Sequence, residues 1–582
     1  MKIALCALNA KHSHSCLALY SLREAAKSPG RDIIVKEYTI NQDTGFVLRD
    51  IFSLKPDVCC FSVSIWNVTQ TLSIIDRLKI VLPSCVIICG GPEASFESKS
   101  LFSSKLDAVV KGEGEAVFKM ALGAIEKGVG FSETPGMIYR DGADLLETED
   151  PLPLDMATLP FPYRNGLDEF NGRILYYESS RGCPFSCAYC LSANDPLRVL
   201  PLDRVFGELD FFLDGKPRLV KFVDRTFNCS KARSTAIWER LIANDNGFTS
   251  FHFEIGGDLL GQRELDLLKR ARKGLFQFEV GVQSSSPDTL ARTSRSSNLA
   301  RLSENVRILK TFGNINLHLD LIAGLPGETL EKSEQSLNFV ASLAPDQLQL
   351  GFLKLLKGSE LRRNAKALGI AYANDPPYEV LETPDLSFAD LAKLKSIEEA
   401  IEIYYNSGLF TQTMRYALSV FDTAAELFKS LADFGASYGE GYRSKRQRYE
   451  MLFNFLSNQE SKRTLLDLLR YDLLFRENER NPPEWLSPRP SKEELKQRSN
   501  YLDSLSKHGY PLAQTPEEKA AQSSRRKELA AATSFANFHT DMPLWLSTGK
   551  LEARECVLMF RYGEQTDSSE VCLWGDTLET AR

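Results

Sequence analysis

Over its first 128 residues the chain alternates short apolar runs with longer amphipathic stretches. The runs Lys2 to Leu8, Ile33 to Tyr38, Val58 to Ser64, Cys85 to Gly90 and Ala108 to Lys111 read as strands, since each is short and bounded by turn residues. The stretches between them are long enough for crossover helices, so residues 1–128 predict a Rossmann-like, doubly wound sheet of five parallel strands. The rhythm returns further along. Ile174 to Glu178, Leu219 to Asp224, Phe251 to Gly256, Phe276 to Gln283, Asn316 to Ile322 and Gln347 to Leu353 start about 25 to 45 residues apart, which predicts six βα units of a partial (β/α)6 TIM-like barrel over 173–357. The whole is an α/β chain.

The alternation inside these later strands carries chemistry. Phe251, Phe253 and Ile255 share one face, while His252, Glu254, Gly256 and Asp258 share the other. Phe276, Phe278, Val280 and Val282 oppose Gln277, Glu279, Gly281 and Gln283 in the same way, and Asn316, His318 and Asp320 continue the polar row. Helices need an apolar face to pack on, so the polar row points into the barrel. An ordinary barrel interior is filled with branched apolar side chains. Ionisable groups in that place imply a wet cavity built for polar ligands.

Between the two regions, 129–172 contains Asp150-Pro-Leu-Pro-Leu-Asp155 and Leu159-Pro-Phe-Pro-Tyr163, which predict a proline-rich linker. From Asp385 to about Glu477 the periodicity is helical, which predicts a mostly helical extension over 358–480. Asn481-Pro-Pro-Glu-Trp485 marks a break, and the tail 481–582 predicts a polar helix at Pro516 to Ala531 and strands near Cys556 to Tyr562 and Glu570 to Trp574.

Composition adds two facts. The 582 residues carry a net charge of −7 with 43% hydrophobic residues, an ordinary globular balance that makes nucleic acid an unfavoured partner. No run of about 18 apolar residues occurs and Lys11 ends the opening apolar run, so neither a membrane span nor a signal peptide is expected, and a cytoplasmic location is. The 12 cysteines are the anomaly. Nine of them, including Cys6, Cys59, Cys60, Cys85 and Cys89, sit in apolar or isolated positions and read as small buried hydrophobes. Cys183-Pro-Phe-Ser-Cys187-Ala-Tyr-Cys190 is different: C-x3-C-x2-C brings three thiols onto one tight loop. Soft thiolates choose zinc or an iron–sulfur cluster. A structural zinc site closes with four ligands, and the next histidine is distant His252; three ligands on a four-iron cluster leave one iron open.

The segment Tyr177 to Cys190, with Tyr189 before the third cysteine, resembles the cluster loop of radical SAM enzymes. The resemblance implies a 4Fe-4S cluster on Cys183, Cys187 and Cys190, whose open iron chelates S-adenosylmethionine for reductive cleavage to a 5′-deoxyadenosyl radical. It further implies S-adenosylmethionine contacts from Tyr189, Asp224, Glu254, Gln283, Ser284, Gly324 and Pro326. The turns of the first domain, Ser62-Val-Ser-Ile-Trp66, Gly90-Gly-Pro-Glu93 and Gly112-Glu-Gly-Glu115, resemble those of the cobalamin-binding domain that precedes the barrel in one branch of these enzymes. That implies cobalamin contacts from His12, Ser62, Trp66, Gly90, Gly91, Glu93 and Glu113. No histidine has Asp two positions before it, so the Asp-x-His-x-x-Gly loop that supplies a lower axial ligand is missing. The domain order, with its helical extension, resembles the subgroup carrying domain of unknown function 4080 and is related to the anaerobic magnesium-protoporphyrin monomethyl ester cyclases.

The expected activity is methyl transfer to an unactivated carbon of a small molecule or natural product, with a low-potential donor such as flavodoxin or ferredoxin. Oxidative cyclisation or rearrangement with the same cofactors is the alternative. A non-catalytic cluster and cobalamin sensor is the alternative of another class.

Overall fold

The computed structural model describes residues 1–438, 444–457, 462–477, 482–487, 489–507, 515–562 and 569–573, so Asn481 and Trp574 lie outside the described residues. It divides into two units, Met1–Ala392 and Lys393–Arg582.

The first unit opens with a sheet of seven strands in the order β2-β1-β3-β4-β5-β6-β7. Its strands are β1 (Lys2–Asn9), β2 (Asp32–Thr39), β3 (Val58–Ser62), β4 (Val86–Gly90), β5 (Ala108–Val110), β6 (Met137–Asp141) and β7 (Asp144–Glu147). The first five are parallel as expected, and their order reverses between β1 and β3, the place where open α/β sheets leave a crevice. Alternate residues of each strand feed opposite cores. Ala4, Cys6, Cys59, Phe61 and Ile87 pack on one side with Ile51 and Ile74, and Ile3, Leu5, Cys60 and Ile88 pack on the other with Leu19 and Phe118. Cys6, Cys59, Cys60, Cys85 and Cys89 are therefore core residues.

The segment 129–172 differs from the expected linker. β6 and β7 add to the sheet edge as an antiparallel hairpin, Val109 pairing with Ile138, and only the later part is extended strap. Met137, Ile138 and Tyr139 are buried there, a run too short to stand out beside its prolines.

The second sheet has six parallel strands in the order β15-β14-β13-β12-β11-β8. They are β8 (Leu175–Tyr177), β11 (Leu219–Phe222), β12 (Ser250–Ile255), β13 (Phe276–Gln283), β14 (Asn316–Ala323) and β15 (Gln347–Phe352), the six expected strands. An antiparallel hairpin, β9 (Ser180–Cys183) with β10 (Asp195–Val199), is inserted after β8 and carries the cysteine loop between its strands. The apolar faces meet the helices through an aromatic layer in which Phe253 lies 4.5 Å from Phe222 and 4.3 Å from Phe227, with Trp238 against Phe278. After β15 a short pair, β16 (Ala371–Tyr372) and β17 (Val380–Glu382), closes the unit.

In the second unit, helices Thr411–Val420, Ala424–Ser437, Lys445–Leu456 and Lys462–Glu477 follow the expected periodicity. The extension and the tail share one core: Tyr416, Leu468 and Tyr471 pack with Phe538, Trp545 and Phe560. The tail helix spans Pro516–Ala531 as expected, and β19 (Ala553–Tyr562) pairs with β20 (Ser569–Leu573). An unexpected strand, β18 (Thr533–Thr540), completes that sheet. Among the described residues no helix is long and apolar enough to cross a membrane.

Candidate functional site: two cavities joined by a cysteine-bearing hairpin

Gly182 starts the cysteine loop at φ +89, and a Cβ there would lie 2.8 Å from the Asp195 carbonyl of β10. Only glycine fits, and its conformation turns the chain out of β9 into the loop. The loop is then tied internally by Cys190 N–H to Cys187 O and Asn194 N–H to Phe185 O, and externally by Ala188 N–H to Thr293 O, each 2.9 Å. Cys183 and Cys187 are buried. Thr226 Oγ1 stands 3.6 Å from Cys183, Arg295 Nη1 3.6 Å from Cys187 and the Ser192 N–H 3.4 Å from Cys190. Burial raises the Cys190 thiol, and Cys187 and Cys183 stand close enough to repel its charged form. Among the described residues no three His, Cys, Asp or Glu side chains gather tightly enough for a single metal ion. A four-iron cluster asks for less convergence, since each thiolate binds a different iron.

Beneath the loop the polar strand faces enclose a cavity of about 180 Å³ lined by Arg225, Glu254, Glu279, Gln283, Arg295 and Asp320 among others. Its charges are graded. Glu279 lies 3.0 Å from His252 Nε2 and 3.1 Å from Lys221 Nζ, and these partners outweigh its burial and hold its carboxyl at about 2. Glu254, its register neighbour on β12, is pushed up to about 7 by burial and by the Glu279 charge. Burial and the same two carboxylates drive Asp320 well up, and His318 Nε2 stands 3.1 Å from it. Gln283, at φ +69 in a register shift of β13, keeps its Oε1 buried with no partner, as does Arg295 its Nε. Unpaired buried donors and acceptors facing a cavity fit a polar ligand.

Of the residues expected around S-adenosylmethionine, Glu254 and Gln283 line this cavity, and Tyr189 lies against Cys187 and Arg295. The others have different partners. The Asp224 carboxylate is buried and taken up by Ser179 N–H at 2.9 Å, Ser179 Oγ at 2.7 Å and Ser180 Oγ, so it secures the start of the cysteine hairpin. Ser284 is fully buried and its Oγ accepts the Ser286 N–H at 3.1 Å. Gly324, at φ +87, and Pro326 are buried, with a Cβ on Gly324 meeting Val380 of β17 at 2.7 Å. Arg295 carries no sequence signal, because it sits in a loop whose direction no periodicity reports.

A second cavity of about 250 Å³ opens at the carboxyl ends of β3, β4 and β5. Ser62, Gly90, Gly91 and Glu113 line it, with Leu19, Ile88 and Phe118 as apolar walls. Gly91 has φ +107, and a Cβ there would sit 2.7 Å from the Val63 carbonyl, so the rim stays thin only with glycine. A mostly apolar cleft with a glycine rim suits a large organic group. Three expected cobalamin contacts lie elsewhere. His12 is exposed, Trp66 is 53% exposed with Nε1 donating to Leu8 O, and Glu93 is buried between Lys357 Nζ at 3.2 Å and the Tyr378 hydroxyl at 2.7 Å. The described residues lining this cavity include no histidine.

Arg181, two residues before Cys183, lines the first-domain cavity and ties the cysteine hairpin to it. It pairs with Glu178 at 2.9 Å and with Glu115, while Arg198 of β10 donates to Glu113 at 2.9 Å. The Gly112-Glu-Gly-Glu115 turn of the first domain thus grips both strands of the hairpin that carries the cysteines.

Comparison with known proteins agrees with this geometry. Residues 4–122 match the B12 binding domain, 177–340 the radical SAM superfamily and 366–560 the protein of unknown function DUF4080. The hopanoid C-3 methylase of Methylococcus capsulatus is 27% identical over 53% of this chain and 60% of its own length. The anaerobic magnesium-protoporphyrin IX monomethyl ester cyclase of Rubrivivax gelatinosus is 23% identical over 54% of this chain and 59% of its own. The chain thus spans about 60% of each of these two relatives. Among solved structures, the cobalamin-dependent S-adenosylmethionine radical enzyme OxsB superposes with a TM-score of 0.58 at 14% identity, covering 90% of this chain and 83% of that one. The methyltransferase TsrM of Kitasatospora setae, with cobalamin and a 4Fe-4S cluster, gives 0.54 at 17%, covering 65% and 78%; both likenesses speak for the fold. The chain thus carries a B12 binding domain, a radical SAM domain and a DUF4080 region, in that order.

Proposed function

We propose that the protein is a cobalamin-dependent radical SAM methyltransferase acting on a small molecule. The observation that carries this reading is the cysteine trio beside a barrel cavity lined by charged side chains and tied by Arg181 to the glycine-rimmed cleft of the first domain. Cys183, Cys187 and Cys190 would hold a 4Fe-4S cluster, Glu254, Gln283 and Arg295 would face S-adenosylmethionine, and Ser62, Gly90 and Gly91 would border cobalamin. When bound, these groups supply one-electron reductive cleavage of S-adenosylmethionine and a transferable methyl group. The chain's own part is position and environment. Glu279, fixed by His252 and Lys221, supplies a permanent negative charge beside the ligand, and Glu254 next to it can hold or release a proton near neutrality. The buried Phe222, Phe253 and Phe278 layer seals the barrel's outer side from water. A low-potential flavodoxin or ferredoxin is the proposed reductant.

Anaerobic reconstitution of the full chain tests this reading through separate cluster and corrinoid absorption, release of 5′-deoxyadenosine and a product heavier by one methylene. Oxidative cyclisation is kept as a second reading because the cyclase relative matches over 54% of this chain. A product lighter by hydrogens would decide for it. Cluster and corrinoid absorption with no cleavage of S-adenosylmethionine would leave a sensor.

A further inference from the structure

The three cysteine sulfurs are not equivalent. Cys183 has a hydroxyl beside it and Cys190 a backbone N–H with the Arg225 charge further off, whereas Cys187, with Tyr189 beside it, receives a direct hydrogen bond from a guanidinium. That guanidinium is held in place from two directions. The helix Pro287–Arg292 ends at Thr293, Ser294 turns through φ +53, and Arg295 N–H returns to Leu290 O at 2.9 Å. This turn is itself fastened to the cysteine loop, by Ala188 N–H on Thr293 O and Ser186 Oγ on Ser294 O at 3.2 Å. At its far end Arg295 Nη2 donates to the Gly281 carbonyl in β13, so one side chain spans from barrel wall to cysteine. No carboxylate pairs with Arg295 in the hydrogen bonds or ion pairs of the described residues. Its charge therefore acts on the sulfur and the cavity.

Hydrogen bonds to ligand sulfurs and nearby charge set the reduction potential of an iron–sulfur cluster, and a charged donor is about twice as strong as a neutral one. We propose that Arg295 is a positioning residue that, through Cys187, raises the reduction potential of the cluster proposed above and so eases its one-electron reduction. The inference rests on that cluster reading. Reduction adds one negative charge next to a fixed positive one, and the electron comes from the low-potential donor already named.

The test is an EPR-monitored redox titration of the anaerobically reconstituted full chain without S-adenosylmethionine, read on the cluster-bearing fraction. Arg295→Gln is expected to make reduction at least tenfold less favourable, about 59 mV lower for a one-electron couple. Arg295→Lys keeps the charge and is expected to recover most of the loss, which a merely structural role would not produce. An Arg295→Gln midpoint equal to wild type overturns the proposal, as does a lysine variant as low as the glutamine one. If neither variant takes up a cluster, Arg295 is a structural tie of the loop and the proposal also falls. Wild-type protein that assembles no cluster refutes the cluster reading instead.

Discussion

Glu254 and Glu279 stand opposite one another on neighbouring strands, yet their surroundings send them in opposite directions. Glu279 gains His252 and Lys221, while Glu254 is left with burial and a like charge. The ordinary carboxyl titrates near 4.5. The Glu254 proton is retained by the folded chain up to about 7, so the stability of its neutral form is fully present below 4.5 and lost as pH rises to 7. The window corresponds to up to about 3 kcal/mol at about 1.4 kcal/mol per pKa unit. Glu279 acts oppositely, its contribution present above 4.5 and lost as pH falls towards 2. Glu254→Gln is therefore expected to raise the melting temperature of the cofactor-free chain relative to wild type by an amount that grows between pH 4.5 and 7. Melting curves across that range check it, and a difference independent of pH would count against the assignment. The sequence already placed both carboxylates on the inward face. It could not tell them apart, because His252 and Lys221 reach Glu279 only once the strands are side by side.

At the scale of elements, strands and turns were legible where local pattern decides. The six barrel strands follow from period-two alternation and crossover spacing, and both glycine turns of the first domain lie where the sequence placed them. β6, β7 and β18 were missed: β6 and β7 neighbour prolines, and in β18 the buried set is Ala536, Phe538 and Thr540, too weakly apolar to mark a strand. The hairpin β9–β10 escaped too, since its register is set by Gly182 and the approach of Asp195. The glycine rim of the first-domain cleft gives the prediction for this scale. In Gly91→Ala a side chain would be forced into φ +107 and onto the Val63 carbonyl, a strain of about 1–3 kcal/mol before the clash is counted. The variant is expected to retain cluster absorption and lose cobalamin uptake. Unchanged corrinoid absorption after reconstitution would remove Gly91 from the cobalamin site.

At the scale of the molecule, Met1–Ala392 holds the first-domain cleft, the cysteine hairpin and the barrel cavity in one unit. Within it, carboxylates of the first domain meet basic residues of the barrel and of the helix that follows it at several points: Glu37 with Arg173, Glu93 with Lys357, Glu97 with Arg362, Glu113 with Arg198. A chain ending after Ala392 is expected to take up both the cluster and cobalamin, and anaerobic absorption spectra of that shortened protein would show it; loss of either would place part of the site in Lys393–Arg582. By itself the sequence determined the fold order, the cysteine trio, the inward polar faces and the glycine turns, because each is written in spacing or periodicity a few residues long. Tertiary structure alone decided that Asp224 supports the hairpin, that Glu93 joins Lys357 and that Arg295 reaches Cys187, since each depends on a side chain meeting a partner tens to hundreds of residues away. No local pattern encodes such a meeting; the packing of strands and domains brings the partners together.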